Sequence, residues 1–471
     1  MTGFLIRNAE VDGREGLDVR LAEGRIVEIG RGLGGTEDSL DACGGALIPG
    51  LIDHHIHLLA TAARADSLAM DDARGPHAFA ERLSAWLAAR PPGQWARITG
   101  WHEHHHGALD RLALDRLAPG HPVRVQDQTG ALWILNSAAL ARLGGDWPGG
   151  LERGYDGTPT GRLWREDAWL RDQIGPVPPP LAPLGERLAA AGVTGITDAS
   201  VTTDETSAGL LAQAHRDGAL PQRLMLMSGG PLAAPADGAF AVGPLKILLD
   251  DRDLPDPEAL AERIALARRL GRPVAAHCVT AAELAVMLAA LGEAGARPGD
   301  RIEHGGIIAP DAIGELRRLG LTVVTQPAFI FERGDRYRAE VDPDEQPDLY
   351  RCASLIAAGV SVAASSDAPY ANPDPWAGIR AAIQRLTRAG ETLGEGERVA
   401  ARRALGLYLG NLTDPGGLER TIVVGGPADL CLLKAPLDEA LAAPTADLVE
   451  ATFVGGRMVH GPGWRGAGNP L

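Results

Sequence analysis

"RRLGRPVAAH", residues 268–277, ends a basic helical turn on a glycine and passes straight into a short apolar run that closes on a histidine. The same phrase recurs as "AAAGVTGITD" (189–198), "RRLGLTVVTQ" (317–326) and "IAAGVSVAASSD" (356–367). A glycine just past a helix end stops the helix in the left-handed conformation, and an unbroken apolar run reads as a strand buried on both faces. Helical spacing precedes two of these phrases, in "PDPEALAERIALARRL" (255–270) and "APDAIGELRRL" (309–319). The chain is therefore α/β units in series. Further apolar strands fit "ALIPGLIDHHIHL" (46–58), "GPLKILLD" (243–250) and "RIEHGG" (301–306).

Counted from each glycine, Asp198, His277 and Gln326 fall six residues on, at the carboxyl end of a strand, and Asp367 falls eight on. A parallel barrel with its chemistry at the C-terminal face predicts such a rim of polar residues. An open doubly wound sheet would also use strand ends, but no G-x-G-x-x-G or P-loop is present to serve a nucleotide. The expected fold class is α/β, a TIM-like (β/α)8 barrel over residues 49–417. Residues 1–48 and 418–471 show short strands with glycine turns and are expected to pair as one composite β-sandwich domain. The segment from about 60 to 185 exceeds a simple crossover and is read as an insertion over the barrel mouth, closed by the proline-rich "IGPVPPPLAP" (174–183).

Composition narrows the function. A net charge of −16 disfavours nucleic acid and anionic membrane as partners. No apolar run approaches the roughly 18 residues of a membrane span, and "MTGFLIRNAEVDG" lacks the features of a signal peptide, so a cytoplasmic location is expected. The four cysteines show no C-x-x-C spacing and are expected to be reduced thiols. Oligomeric state, including a homo-oligomer, is left open. Among 45 basic residues only two are lysines, Lys246 and Lys434.

His55 and His57 stand two apart on a strand, so both imidazoles project from one face, an arrangement that suits Zn²⁺. Asp53 shares that face, and His54 points away. His277, His304 and Asp367 each end an apolar strand at the same rim. Lys246 lies inside an apolar run, where it either snorkels to the strand end or acts as a low-pKa amine that takes up CO₂ to form a carbamate. Arginine, always charged, could not do the latter.

These pieces resemble the amidohydrolase superfamily: "PGLIDHHIH" on strand one, Lys246 on strand four, His277 on strand five, His304 on strand six and Asp367 on strand eight, with "GGPADLCLL" (425–433) near the end. "RIEHGGIIAPDAIGELRRLGLTVVTQP", "SSDAPYANPDPWAGIRAAIQRLTR" and "NSAALARLG" look like its amidohydrolase-3 branch, which includes N-substituted formamide deformylases. Two departures bear on substrate: Gly130 and Ala131 replace the usual Gly-His pair, and "KILLDD" lacks the glycine after its aspartate.

The resemblance implies that His55, His57 and Asp367 hold one divalent metal, that His277 and His304 hold a second, and that carbamylated Lys246 bridges them. Zn²⁺ is the first expectation, with Mn²⁺ or Fe²⁺ as alternatives. A metal-bound hydroxide would cleave a small-molecule C–N amide-type bond, in an N-acyl or N-formyl amine or a cyclic amide, with Asp367 as catalytic proton shuttle. The alternatives are a mononuclear deaminase of amino-heterocycles, disfavoured because the first acid after His277 is Glu283, and a non-catalytic binding scaffold. Trp101, His104, His106, Trp133, Gln326 and Tyr370 are the candidate substrate contacts.

"WHEHHHG" (101–107) contains H-E-x-x-H, the pattern of a zincin helix. Here it is read as a strand, "ARIT", entering a loop between Gly100 and Gly107, and so as a decoy for the catalytic metal.

Overall fold

The computed structural model describes residues 3–70, 75–144, 146–175 and 178–464. The chain folds into two compact units, residues 1–61 with 181–471, and residues 62–180.

The first unit holds eight parallel strands: β1 (Leu51–Ile56), β2 (Val193–Asp198), β3 (Arg223–Ser228), β4 (Ala241–Leu248), β5 (Val274–Cys278), β6 (Arg301–His304), β7 (Thr322–Thr325) and β8 (Ser361–Ala364). Each pairs with the next in sequence order. The barrel is nearly closed, because Asp367 N–H donates to His55 C=O at 2.8 Å and His57 N–H to Ala368 C=O at 2.9 Å. The glycines of the repeated phrase, Gly192, Gly271, Gly320 and Gly359, all have positive φ, as helix-stopping residues require. Outward residues of the strands, such as Val274, Ala276, Ile302, Val323 and Val362, pack against Leu260, Ile264, Met287 and Leu316 of the surrounding helices. That burial leaves the inward faces for chemistry.

Two features differ from the sequence expectation. Strand β3, "RLMLMS", ends in no charged or histidine side chain, and Ala219–Gln222 separate it from the helix-stopping Gly218, so its signal is weaker than the others. "ALIPGLIDHHIHL" is two strands rather than one. Leu47–Pro49 pairs antiparallel with Leu430–Leu433, and the chain crosses into the barrel at Gly50. A side chain at Gly50 would meet Thr194 Cγ2 at 2.1 Å, so only glycine lets these segments approach.

Leu47–Pro49 belongs to a four-stranded sheet with Leu430–Leu433, Val449–Val454 and Arg457–His460. A second four-stranded sheet comes from Phe4–Val11, Arg14–Ala22, Arg25–Gly30 and Asp38–Asp41. Ile6, Val19, Ile26, Leu430, Leu432 and Phe453 share one apolar core, so both ends of the chain build this layer.

The second unit carries a six-stranded mixed sheet that includes Ala96–Trp101, Val123–Asp127 and Leu132–Leu135. Asn136 stitches it locally: its side chain accepts from Val123 N–H and Ala139 N–H, both at 2.9 Å. Among the described residues no helix is long and apolar enough to cross a membrane.

Candidate metal centre

The carboxyl ends of β1, β4, β5, β6 and β8 bring six of the sequence candidates together: His55, His57, Lys246, His277, His304 and Asp367. One donor atom each of His55, His57 and Asp367 lies within 4.8 Å of the others. Asp367 Oδ1 is 3.2 Å from His57 Nε2 and 3.5 Å from His55 Nε2, and Asp367 Oδ2 is 3.8 Å from His304 Nδ1. The His304 ring centroid lies 4.7 Å from that of His55 and 4.4 Å from that of His277. Two of these residues leave ordinary strand geometry, His304 at φ 70° and Asp367 at φ 52°. A non-glycine residue at positive φ is uncommon, and here it turns a side chain at a strand end toward the shared centre.

The second ring nitrogens are held by the protein. His55 Nδ1 donates to the Glu303 carboxylate, His304 Nδ1 donates to Gln326 Oε1 at 2.9 Å, and His57 Nδ1 contacts Ser200 Oγ at 3.0 Å. Acceptors on Nδ1 fix the tautomer of His55 and His304, leaving Nε2 with its lone pair free. Burial pushes both histidines well below the ordinary 6.5, with Lys246 adding to the effect, and lowers His277 to about 4. All three are neutral at pH 7, as metal ligands must be. Burial raises the Asp367 carboxyl, opposed by the adjacent His57 ring and the charges of Lys246 and Arg333. Lys246 is lowered by burial, opposed by Glu303 and Asp367.

Three buried polar atoms at this centre have no hydrogen-bond partner among the described residues: His55 Nε2, Asp367 Oδ1 and Lys246 Nζ. Native proteins rarely leave such atoms unpaired. Two imidazoles and a carboxylate converging with unpaired donors fit a divalent ion that retains open positions.

The other sequence candidates are placed differently. Gln326 is fully buried and committed, its Oε1 on His304 and its Nε2 donating to Val324 C=O and Ser365 Oγ, so it orients a ligand histidine rather than facing an open surface. Tyr370 is 57% exposed, with its ring edge-on to His57 at 5.9 Å. Trp101 is buried in the second unit's core with Phe79, Ile98 and Leu109. Trp133 is buried in a separate cluster with Leu135, Leu163 and Leu170 and donates through Nε1 to Asp167 at 2.7 Å.

The histidine cluster corrects one expectation. Glu103–His106 is a single helical turn rather than a loop, because His102 caps it, accepting from His104 N–H, and Gly107 ends it at φ 81°. His102 N–H donates to His106 Nδ1 at 2.9 Å, which spends that nitrogen locally. With His102 in the capping position, the two outer histidines of H-E-x-x-H are not presented from successive helical turns. His104 is exposed and His106 buried.

The geometry agrees with the relationships of the chain. The sequence model of the Amidohydrolase family matches residues 38–460. The chain belongs to the amidohydrolase family. It is an enzyme, a metal-dependent amidohydrolase. The chain is 28% identical to the N-substituted formamide deformylase of Arthrobacter pascens, over 97% of this chain and 98% of that one. An uncharacterized metal-dependent hydrolase from Pyrococcus furiosus has the same fold, at a TM-score of 0.72, 19% identity, and coverage of 92% of this chain and 99% of that chain. N-isopropylammelide isopropylaminohydrolase from Burkholderia multivorans is similar at a TM-score of 0.54 and 18% identity, over 98% of both chains.

Sequence reasoning missed Glu303, Arg301, Ser200 and Ser366. The signal for the first two lay in "RIEH", where residues 301 and 303 share one face of a buried strand and carry opposite charges. Ser366 donates to Asp53 through Oγ, and its N–H reaches Asp53 Oδ1 at 3.0 Å. Asp53 is thereby turned to the backbone beside Asp367.

Proposed function

We propose that this amidohydrolase cleaves a C–N amide-type bond in a small molecule, an N-acyl or N-formyl amine or a cyclic amide. The observation that carries the reading is the convergence of one donor atom each of His55, His57 and Asp367 within 4.8 Å, with the buried, unpartnered Lys246 Nζ near enough to act on His55. The deformylase relative, which matches nearly end to end, supports the choice of bond.

His55, His57 and Asp367 would hold one divalent ion and His277 with His304 a second. Zn²⁺ is the first candidate, with Mn²⁺ or Fe²⁺ as alternatives, and Lys246 as a carbamate would lie between them. Such ions, when bound, polarise a carbonyl oxygen and make water a nucleophile near neutral pH. Asp367 supplies the proton shuttle, since its Oδ1 faces the imidazoles of His57 and His55 at 3.2 and 3.5 Å and burial raises its pKa toward the range in which a carboxylate accepts and returns a proton. Tyr370, exposed beside His57, offers a ring to the substrate. The acidic charge of −16 fits a cytoplasmic enzyme acting on small molecules without a nucleic-acid partner.

The deaminase alternative needs an acid free to act just beyond His277. Glu283 instead caps the helix Ala281–Ala294, accepting from Val279 N–H at 2.5 Å and Thr280 N–H at 3.0 Å. The test is a screen of zinc-loaded protein against N-formyl and N-acyl amines, lactams and amino-heterocycles. Release of amine and acid from the amides is expected; turnover confined to ammonia release from heterocycles would overturn the reading.

A further inference from the structure

Arg301 and Glu303 stand two residues apart on β6, their side chains 1% and 0% exposed as residues, inside the barrel. Arg301 Nε donates to Glu303 Oε1, and its Nη2 donates to His54 C=O at 3.1 Å. The other carboxylate oxygen of Glu303 accepts from His55 Nδ1. Arg301 also lines a cavity of about 180 Å³ with Met225, Gly243, Pro244 and Pro273, at the amino-terminal ends of the strands. A column of charge therefore runs from the barrel floor through Arg301 and Glu303 to His55. A carboxylate at 0% exposure could not stand there alone, and Arg301 compensates it.

Two other ligand candidates receive weaker partners. His304 has the neutral amide of Gln326, and His57 the hydroxyl of Ser200. Among the described residues, His55 is the ligand candidate whose Nδ1 is held by a carboxylate. An anion on Nδ1–H both fixes the ring and makes Nε2 a stronger donor, and outer partners of this kind change metal affinity by about 10- to 100-fold.

We infer that Arg301 and Glu303 are a positioning pair that fixes His55 as an Nε2 donor and makes the His55, His57 and Asp367 subsite the tighter of the two. The inference rests on the proposal that these residues hold divalent ions. It adds an unequal pair of subsites, set by outer partners: an anion behind His55 and a neutral amide behind His304. The first ion is then retained during turnover and dialysis, and the second exchanges.

The experiment is chelator competition on the full chain, with Zn²⁺ followed by metal analysis and Co²⁺ followed by absorption. Wild type is expected to bind one equivalent at least tenfold more tightly than the next. Glu303→Gln should weaken the tight equivalent by about 10- to 100-fold and spare the other, Glu303→Asp should recover part of the loss, and Gln326→Leu should weaken only the looser equivalent. An unchanged tight equivalent in Glu303→Gln, equal loss of both, or loss of the tight equivalent in His277→Ala would overturn the inference. ¹⁵N NMR of histidine-labelled, metal-free protein decides the matter separately. His55 is expected as the Nδ1–H tautomer in wild type and in Glu303→Asp, and as a tautomer mixture in Glu303→Gln; a mixture in wild type would overturn it. If wild type takes up no ion at all, the proposed hydrolase fails while the NMR still reads the action of Glu303 on His55.

Discussion

Lys246→Met should make the metal-free protein more stable. The Lys246 side chain sits on β4 opposite Ala275, is 2% exposed, and leaves Nζ without a hydrogen-bond partner. A buried polar group without a partner costs roughly 1–3 kcal/mol. Methionine fills a similar length with no donor to satisfy, so its substitution should return about that amount. With m near 3 kcal/mol/M, the urea midpoint rises by roughly 0.3–1 M. The sign of the pH dependence follows from burial, which holds the folded-state amine below its ordinary 10.5. Just below pH 10.5 the unfolded chain binds a proton that the folded chain has shed, so wild-type stability rises with pH through that window. The advantage of Lys246→Met is therefore largest at low pH and narrows toward pH 10.5. Adding Zn²⁺ works against this order, because an ion at 100 times its Kd stabilises the wild type by about 2.7 kcal/mol, comparable to the gain of roughly 1–3 kcal/mol, and the variant lacks the proposed bridging group. The assay is urea unfolding of chelator-treated protein in CO₂-free buffer, repeated after Zn²⁺ and bicarbonate are added together. A metal-free Lys246→Met protein that unfolds at lower urea than metal-free wild type would refute the reasoning.

Burial raises Asp53 from 3.8 to about 6, so the folded chain holds an extra proton in that window and metal-free stability falls as pH rises through it; Asp53→Asn should flatten that slope in unfolding curves taken from pH 4 to 7. Glu397 accepts from Arg351, Ser354 and Cys352, and although burial raises its pKa these hydrogen bonds hold it below 4.5. Glu397→Gln should cost about 3–5 kcal/mol at pH 7, a difference that shrinks as pH falls below 4.5, read by chemical denaturation. Replacing His104 and His105 with alanine should leave the metal content of purified protein unchanged; loss of a tightly held equivalent would move the catalytic centre to the second unit.

Most of the barrel was legible because its strands repeat one physical event, a helix halted by glycine and followed by a buried strand. The ligand candidates were legible for a related reason: His55, His57, His277, His304 and Asp367 are residues with no structural motive for standing at the end of an apolar run. What stayed hidden was pairing across the barrel. Glu303 reads as a charged neighbour of His304, yet its carboxylate serves His55 on the far side of the sequence. Gln326 falls at the rim by counting, and only its three hydrogen bonds show that it holds His304. The helical turn at Glu103–His106 was missed because its cap is a histidine, an unusual residue for that duty.

The antiparallel pairing of Leu47–Pro49 with Leu430–Leu433 has a consequence in time. The strand that delivers His55 begins just after that pairing, at Leu51, and the partner of Leu47–Pro49 is nearly 400 residues away in the chain. At synthesis rates of about 5–20 residues per second, the ribosome needs roughly 20–80 s to make the partner of a segment it has already released. Until then β1 lacks its outer anchor, and Asp367, which closes the barrel against His55, is itself made late in that interval. The proposed ligand set therefore comes together only after Leu430–Leu433 has been made, and metal capture waits on a pairing that the early segment cannot make by itself.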